Sequence, residues 1–415
     1  MKKKLRILLV WILVSLIFQF GGYSLLNNQI LKTFGPMEDS IPPITPHLKA
    51  TIPSSDITNI QVSYAKDYLA YSENGTLKIF NLKKRNIVYE KKSPSATDQT
   101  LGVLMYQWLP DRNNLLYFYA KKNPNEVTTV KVSSSKPKIA TPSIQTQTED
   151  PNEAKIVPKE VPVEPKFEKR YGSPQITELY SLELPNSDED IAPDDHLKPF
   201  NPLSGREKIS VGGKIEKFVV SPATNLMYIT VMKGSTQQLM KIDIYNEVST
   251  VNKTSEFINN MAISDRYATL YIDSKVGAIQ QVIALNNDKR LVISKNTNDR
   301  IIGVRKGKVY IGEVINNEIV KIKTIDDLQV MKENPSLKTE WEGTIPFNKS
   351  VHMLIGVTGQ LIVYDNQKAS IITDGHLTDV QLHGDENYVS ADGAELIQLT
   401  KQGTSTLVEL QPLKP

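Results

Sequence analysis

Hydrophobic residues follow two different patterns along this chain, and the first is a continuous run near its start. The twenty residues from Ile7 to Leu26 carry no charge, and most of them are aliphatic or aromatic. A helix rises about 1.5 Å per residue, so a run of this length spans the roughly 30 Å hydrocarbon core of a bilayer. Basic residues precede it. The pattern predicts a transmembrane helix over 7–26, with residues 1–6 as a cytoplasmic basic tail and the remainder extracytoplasmic.

Three alternatives compete with this membrane anchor. A cleaved signal peptide has the same basic start and apolar run, but it ends at a small-x-small cleavage site, which residues 23–28 lack. A lipoprotein needs a cysteine near this point, and the chain has none. A buried core helix fits poorly with the polar segment that follows. An uncleaved anchor is the favoured interpretation, and a cleaved signal remains the main alternative.

The second pattern begins near Ile57, where short runs of Val, Ile, Leu, Tyr and Thr alternate with turn residues. Asn74-Gly75 suits a type I′ hairpin between two such runs. Strand groups of this kind recur about every 40 residues, a period typical of propeller blades. They begin near Ile57, Gly102, Ile215, Ile258, Ile301, Val351 and Leu377. The pattern predicts an all-β domain over 57–413, a β-propeller of six or seven four-stranded antiparallel blades. A pair of β-sandwich domains is the alternative.

One segment of the repeat resembles a known family. Residues Trp108–Tyr117 resemble the W-S-P-D-G-K-x-L-A-F motif of TolB-like, WD40-like propellers of the PD40 type. Val220–Tyr228 is similar to a second, degenerate copy, and Val62–Tyr71 and Ile263–Tyr271 are weaker ones. The glycine of the motif is missing from every copy, which leaves the turn type open. The resemblance implies the propeller architecture and a tendency to bind other macromolecules, and it carries no catalytic residue.

Two proline-rich polar segments interrupt the strand pattern. Residues 27–56 are predicted to form an extracytoplasmic stalk, because proline favours extended conformations. Part of this stretch could instead pack on the domain as an irregular edge. Residues 133–170, rich in Pro, Lys and Glu, are predicted to be a disordered insertion in the second unit.

Composition excludes several classes of function. The chain has 49 basic and 46 acidic residues, a net charge of +3, and the basic residues are scattered, so nucleic acid is not an expected partner. The absence of cysteine excludes disulfides, thiolate metal sites and a cysteine nucleophile. Exported proteins without cysteine are common in bacteria, so we expect a bacterial cell envelope.

Motifs for catalysis are missing as well. The sequence contains no G-x-S-x-G elbow, no phosphate-binding glycine loop and no H-E-x-x-H. Two polar clusters are the candidate metal sites. They consist of Asp374, His376, Asp379, His383 and Asp385, and of Asp188, Glu189, Asp190, Asp194, Asp195 and His196. Neither has a recognised ligand spacing, so solvated loops are the favoured interpretation of both. We therefore assign no catalytic, cofactor-binding or metal-binding residue and expect no cofactor.

These observations together predict a non-catalytic binding or scaffolding module at the cell envelope. Its partners would be the lipid bilayer, through the N-terminal helix, and an envelope protein or a cell-wall glycan. A propeller hydrolase or lyase with an active site on the axis is one alternative. A sensory or assembly subunit of a membrane complex is another.

Overall fold

A computed structural model of the chain describes residues 15, 19, 48–95, 97–98, 100–124, 127–132, 166–171, 174–200, 214–287, 289–327, 336–348 and 350–413. The strands in these ranges form seven four-stranded antiparallel sheets and one two-stranded hairpin. In chain order they are β1 (Leu48–Ile52), β2 (Thr58–Val62), β3 (Tyr68–Glu73), β4 (Thr76–Asn81), β5 (Asn86–Lys91), β6 (Gly102–Trp108), β7 (Asn114–Lys122), β8 (Val127–Val132), β9 (Lys166–Tyr171), β10 (Gln175–Glu183), β11 (Asp194–Lys198), β12 (Lys214–Val220), β13 (Met227–Lys233), β14 (Thr236–Ile242), β15 (Val248–Thr250), β16 (Glu256–Ile263), β17 (Leu270–Val276), β18 (Ile279–Asn286), β19 (Lys289–Ser294), β20 (Asp299–Arg305), β21 (Lys308–Ile315), β22 (Glu318–Asp326), β23 (Lys338–Pro346), β24 (His352–Ile355), β25 (Leu361–Tyr364), β26 (Lys368–Thr373), β27 (His376–Gln381), β28 (Glu386–Val389), β29 (Glu395–Gln402) and β30 (Ser405–Pro412).

Each four-stranded sheet is one blade of a propeller. Written from the innermost strand outwards, the blades are β2-β3-β4-β5, β6-β7-β10-β11, β12-β13-β14-β15, β16-β17-β18-β19, β20-β21-β22-β23, β24-β25-β26-β27 and β28-β29-β30-β1, numbered 1 to 7. The hairpin β8-β9 is inserted between the second and third strands of blade 2. The predicted propeller is confirmed, with seven blades, and the alternative of two sandwich domains is wrong.

The hydrophobic core lies between the blades. The described residues form seven apolar clusters, and each joins two neighbouring blades, including blades 7 and 1. Second strands such as β3 and β13 are therefore buried over four or five consecutive residues, because a blade packs on both of its faces. The third strand of blade 7, β30, instead alternates buried and half-buried positions over most of its length. Seven interfaces for seven blades mean that the ring is closed.

Ring closure uses a strand from the predicted stalk. Strand β1 pairs antiparallel with β30 as the outermost strand of blade 7, with Leu48 opposite Leu410 and Ile52 opposite Thr406. The side chains of Ala50 and Ile52 are buried between blades 7 and 1. Of the two interpretations left open for residues 27–56, packing on the domain edge holds for residues 48–52, as a regular strand, because the strand pairs with β30 and two of its apolar side chains are buried between blades. Residues 27–47 lie outside the described residues.

Three further boundaries differ from the sequence prediction or lie beyond the structure. The last residues of the predicted insertion, 166–170, belong to β9, whose pairing with β8 makes them a regular hairpin, and residues 133–165 lie outside the described ranges. Leu377, where the seventh unit was predicted to start, belongs to β27 of blade 6. The predicted tail and transmembrane helix, 1–26, also fall outside the description, apart from residues 15 and 19. Over the described ranges, no helix has both the length and the hydropathy that crossing a bilayer requires.

The family-like motif occupies one place in each of the first four blades, the turn between the innermost and second strands. In all four turns a backbone N–H donates to the carbonyl oxygen five residues later. The pairs are Ser63 and Tyr68, Leu109 and Asn114, Ser221 and Leu226, and Ser264 and Thr269, at 2.8 to 2.9 Å. The predicted strand-turn-strand arrangement is confirmed. Lys66 has a φ of 63° where the motif has its glycine, and the equivalent turn of blade 7 uses Gly393.

Candidate binding site on the propeller axis

A cavity of about 530 Å³ lies at the centre of the ring. Its walls come from the innermost strands of five blades, β2, β6, β12, β16 and β28, together with the turn after β28. Innermost strands are sheet edges, so their backbone groups that face the axis need hydrogen-bond partners other than a neighbouring strand. The cavity is therefore lined by backbone and side-chain hydrogen-bonding groups as well as by apolar surface.

Bulges in the innermost strands shape this cavity. The register against the second strand shifts in β2, β6, β12, β16 and β20. A bulge adds an unpaired residue, bends the strand and redirects side chains. Five residues in these bulges line the cavity: Asn59, Ile60, Leu104, Glu216 and Asn260. The bulges thus direct polar groups toward the axis. In a regular edge strand the same groups would point into the interfaces between blades.

The wall between blades 1 and 2 is cross-linked by side-chain hydrogen bonds. The Tyr106 hydroxyl donates to the carbonyl oxygen of Asn59, and Trp108 Nε1 donates to that of Gln61 at 3.2 Å. Gln61 Nε2 donates back to the carbonyl oxygen of Tyr106 at 3.0 Å. Burial, with a contribution from Tyr388, raises the pKa of Tyr106. The Tyr106 hydroxyl is therefore neutral and acts as a structural hydrogen-bond donor. Together the three hydrogen bonds hold the innermost strands of blades 1 and 2 against each other.

Across the cavity, blade 4 holds the backbone of Ile301 in blade 5. Its N–H donates to Asp273 Oδ1 at 2.6 Å, and its carbonyl oxygen accepts from Asn260 Nδ2 at 2.9 Å. Asp273 lies on β17 opposite the bulge of β16 and has no cross-strand partner there. Burial raises the pKa of Asp273 to about 8, against the lowering effects of the Ile301 N–H, Arg300 and Lys217; Asp299 raises it further. Asp273 is therefore largely protonated at neutral pH.

The raised pKa of Asp273 predicts a specific pH dependence of stability. The unfolded state loses this proton near pH 4 and the folded state near pH 8, so the wild-type free energy of unfolding falls with rising pH in that window. Asp273→Asn removes the titration. In urea unfolding, the free energy of unfolding of the variant minus that of wild type should increase by up to about 1.4 kcal/mol for each pH unit between pH 5 and 8. A constant difference between the two proteins over this range would contradict the assignment.

Two charged side chains line the cavity, and they are neighbours on β12. Glu216 Oε2 accepts a hydrogen bond from Gln237 Nε2 at 2.9 Å, which ties it to blade 3. Lys217 is half-buried, and its ammonium group makes no hydrogen bond or ion pair with another residue in the described ranges. The cavity lining therefore combines one tethered carboxylate with one ammonium group that has no such partner.

The first polar cluster predicted from the sequence does not converge. His376 and His383 are both exposed, on β27 and on the loop after it. Asp379 accepts from Ser370 Oγ at 2.7 Å and pairs with Lys368 at 2.8 Å, which lowers its pKa. Asp385 Oδ2 accepts from the backbone N–H of Lys401 at 2.7 Å. Throughout the described part of the chain, no three His, Asp or Glu side chains are arranged to hold a metal ion.

The carboxylates of the second predicted polar cluster, residues 188–196, do not converge on one point either. Asp195 accepts hydrogen bonds from the hydroxyls of Tyr89 at 2.6 Å and Tyr117 at 2.8 Å, and it pairs with Lys91 at 3.0 Å. Lys91 Nζ lies 3.9 Å from the centre of the Tyr180 ring. Other carboxylates of the loop have separate partners: Asp188 pairs with Lys83, Asp190 pairs with Lys84, and Asp194 lies 2.7 Å from His196 Nε2. Asp195 thus joins blades 1 and 2 structurally.

Sequence reasoning missed the residues that line the axis, among them Asn59, Lys217 and Asn260, and the nearby Asp273. A signal was present: consecutive polar residues such as Glu216-Lys217 and Asn259-Asn260 interrupt the apolar alternation of strands that are otherwise buried. Such interruptions are typical of bulges beside a site.

The similarity of this chain to known proteins is limited to solved structures of low sequence identity. No family model matches the chain, and no curated protein matches it either. Among solved structures, it is similar to the Myceliophteria thermophila Cps50 (Swd1) β-propeller domain, with 11% identity and a TM-score of 0.46, over 88% of this chain and 98% of that one. A chain of a nidogen/laminin complex gives 13% identity and a TM-score of 0.38, over 53% of this chain and 81% of that one. Similarity this weak carries no argument, so the propeller assignment rests on the sheets and blade interfaces described above.

Proposed function

We propose that this protein is a membrane-anchored, TolB-like propeller that acts as a non-catalytic binding or scaffolding module at the bacterial cell envelope. The axial cavity carries the proposal. Its volume of about 530 Å³ falls within the range of small-molecule sites, roughly 300 to 1,000 Å³. The uncharged run at 7–26 and its basic flank support the proposed anchor and the proposed extracytoplasmic location of the propeller.

Binding is favoured over catalysis by the state of the ionisable groups near the cavity. General acid–base chemistry needs groups with a pKa near the working pH and within reach of a substrate. Glu216 is held by Gln237, and the pKa of Tyr106 is raised. The described residues that line the cavity include no histidine. A rigid wall of this kind suits recognition of an envelope protein segment or a cell-wall glycan.

One observation favours the second candidate, a hydrolase or lyase. Asp273 has a pKa of about 8 and lies just behind the bulge of β16, where a general acid could serve the cavity. Its hydrogen bond to the Ile301 N–H places it in a structural role, which is why this alternative ranks below binding.

Affinity capture tests the proposed function. Full-length protein with a C-terminal epitope is solubilised from membranes, and a bound envelope protein or glycan is expected at near-stoichiometric amounts. Leu104→Trp fills the cavity from its wall and should abolish capture, whereas Thr378→Trp, on the exposed outer strand of blade 6, should not. Clean isolation without a partner, together with turnover of a substrate panel, would overturn the proposal.

The anchor has a separate test. Protease added to intact cells should degrade the propeller, while undigested protein should sediment with membranes. Full-length protein accumulating in the culture medium would contradict an uncleaved anchor.

A further inference from the structure

One ammonium group of the axial cavity forms no ion pair within the part of the chain that the structure describes. Lys217 lies at the bulge of β12 and lines the cavity, half-buried. Its neighbour Glu216 is directed to Gln237 on β14. Over the ranges that the structure describes, no carboxylate lies within ion-pair distance of the Lys217 ammonium group. A buried or half-buried ammonium group without a counter-ion loses solvation, so a bound anion would restore favourable interactions.

The nearest buried carboxyl does not supply the missing charge. Asp273 interacts electrostatically with Lys217, but burial raises its pKa to about 8 and keeps it mostly protonated at neutral pH. Arg300 and Asp299 are the other charged groups that act on it. One oxygen of Asp273 already accepts the Ile301 N–H. A neutral amide such as that of Gln237 does not cancel the charge of a carboxylate, so Lys217 and Glu216 bring opposite formal charges to the lining, and the positive charge is local to the Lys217 ammonium group.

Neutral hydrogen-bonding groups surround this charge. The side-chain amides of Asn59 and Gln107 line the cavity, and neither makes a hydrogen bond to another residue in the described part of the chain. An amide can donate and accept, so these groups suit hydroxyl, amide or carboxyl groups of a ligand. A single ammonium with amide neighbours matches one negative charge, whereas a phosphate, with up to two charges, commonly takes arginine or several backbone N–H groups.

We propose that the axial cavity binds a ligand through a carboxylate that pairs with Lys217. This proposal rests on the binding function proposed above and names the chemistry of its ligand. The carboxylate belongs either to an acidic sugar of a glycan or to the free C-terminus of a short peptide. Both fit a cavity of about 530 Å³, and the chemistry at Lys217 is shared.

Calorimetric titration of the full-length protein in detergent tests the ligand chemistry. Two matched pairs of probes are used: digalacturonic acid against neutral galactobiose, and N-acetyl-alanyl-alanine against its C-terminal amide. We expect at least one carboxylate probe to bind about 10-fold or more tightly than its neutral counterpart. Binding of only the sugar acid identifies a glycan ligand, and binding of only the peptide acid identifies a peptide.

Substitution assigns the effect to Lys217. Lys217→Met should weaken the carboxylate probe by about 10-fold or more and leave the neutral probe unchanged. Lys214→Met, at the exposed start of the same strand, should leave both within about 2-fold. The proposal is overturned if no carboxylate probe binds the wild-type protein, if the neutral counterpart binds equally well, or if Lys217→Met binds like wild type. The probe pairs on wild-type protein keep the test valid even if a variant misfolds. In each of those cases a captured envelope partner would still support the proposed function.

Discussion

Ile52→Asp should prevent cooperative folding or lower the free energy of unfolding by at least about 4 kcal/mol. Ile52 is fully buried between blades 7 and 1, on the strand that closes the ring. The substitution places a charge without a partner in this interface and detaches β1 from the core. The neighbouring apolar side chains of Val408 and Leu410, now buried, would then be exposed along the edge of β30. Denaturant unfolding followed by tryptophan fluorescence and circular dichroism measures the loss.

The matched control is one residue away. Thr51→Asp introduces the same charge on the exposed face of the same strand, and it should change stability by no more than about 0.5 kcal/mol. Equal effects of the two substitutions would show that residues 48–52 lie outside the folded ring, as a stalk would.

The second large effect concerns an ion pair that joins the same two blades. Lys66 in the first turn of blade 1 and Asp392 in the corresponding turn of blade 7 meet at 2.5 Å between Nζ and Oδ2, with side chains 4% and 10% exposed. Asp392→Ala leaves the ammonium group buried without a partner, so we expect a loss of about 3–5 kcal/mol. Thermal and urea unfolding at neutral pH provide the measurement.

The double variant Lys66→Met/Asp392→Leu separates the cost of an orphaned charge from the value of the pair. Replacing both partners with apolar groups should restore stability to within about 1–2 kcal/mol of wild type. Burial raises the pKa of Asp392, but Lys66 and the Ser390 hydroxyl lower it to a greater extent, so the net shift is downward. The pair's contribution is therefore present above about pH 4 and is lost as pH falls through the folded-state pKa. If Asp392→Ala were as stable as the double variant, the pair would have no structural role.

The sequence predicted the repeated part of the fold well because that information is local. Alternating apolar residues and turn residues in a 40-residue period indicated four-stranded blades, and the motif turns at Trp108–Tyr117 and Val220–Tyr228 lie where a strand was expected to end. Even the weaker copies at Ser63 and Ser264 make the same five-residue hydrogen bond. Turn chemistry depends on a few neighbouring residues, so it can be inferred without knowing what packs against them.

The candidate site could not be predicted from the sequence, because it depends on residues that are distant along the chain. Lys217 and Asn59 carry no motif, and they matter only because they lie beside or within strand bulges that face a cavity lined by five blades. The polar clusters chosen from the sequence were dense along the chain, but density in sequence does not bring ligands to one point. Asp195 and Asp379 each found a nearby cation or hydroxyl instead.

The sequence by itself thus determined the class of fold, the near-complete set of strand groups and the position of the motif turns, and it supplies the apolar run on which the anchor proposal depends. Tertiary structure alone decided that the ring has seven blades and that residues 48–52 close it. Strand β1 has only five residues and its partner begins at Ser405, so nothing in its local pattern distinguishes it from a proline-flanked stalk. Its place is fixed by burial of Ala50 and Ile52 against two blades, an interaction that exists only once the chain has come full circle.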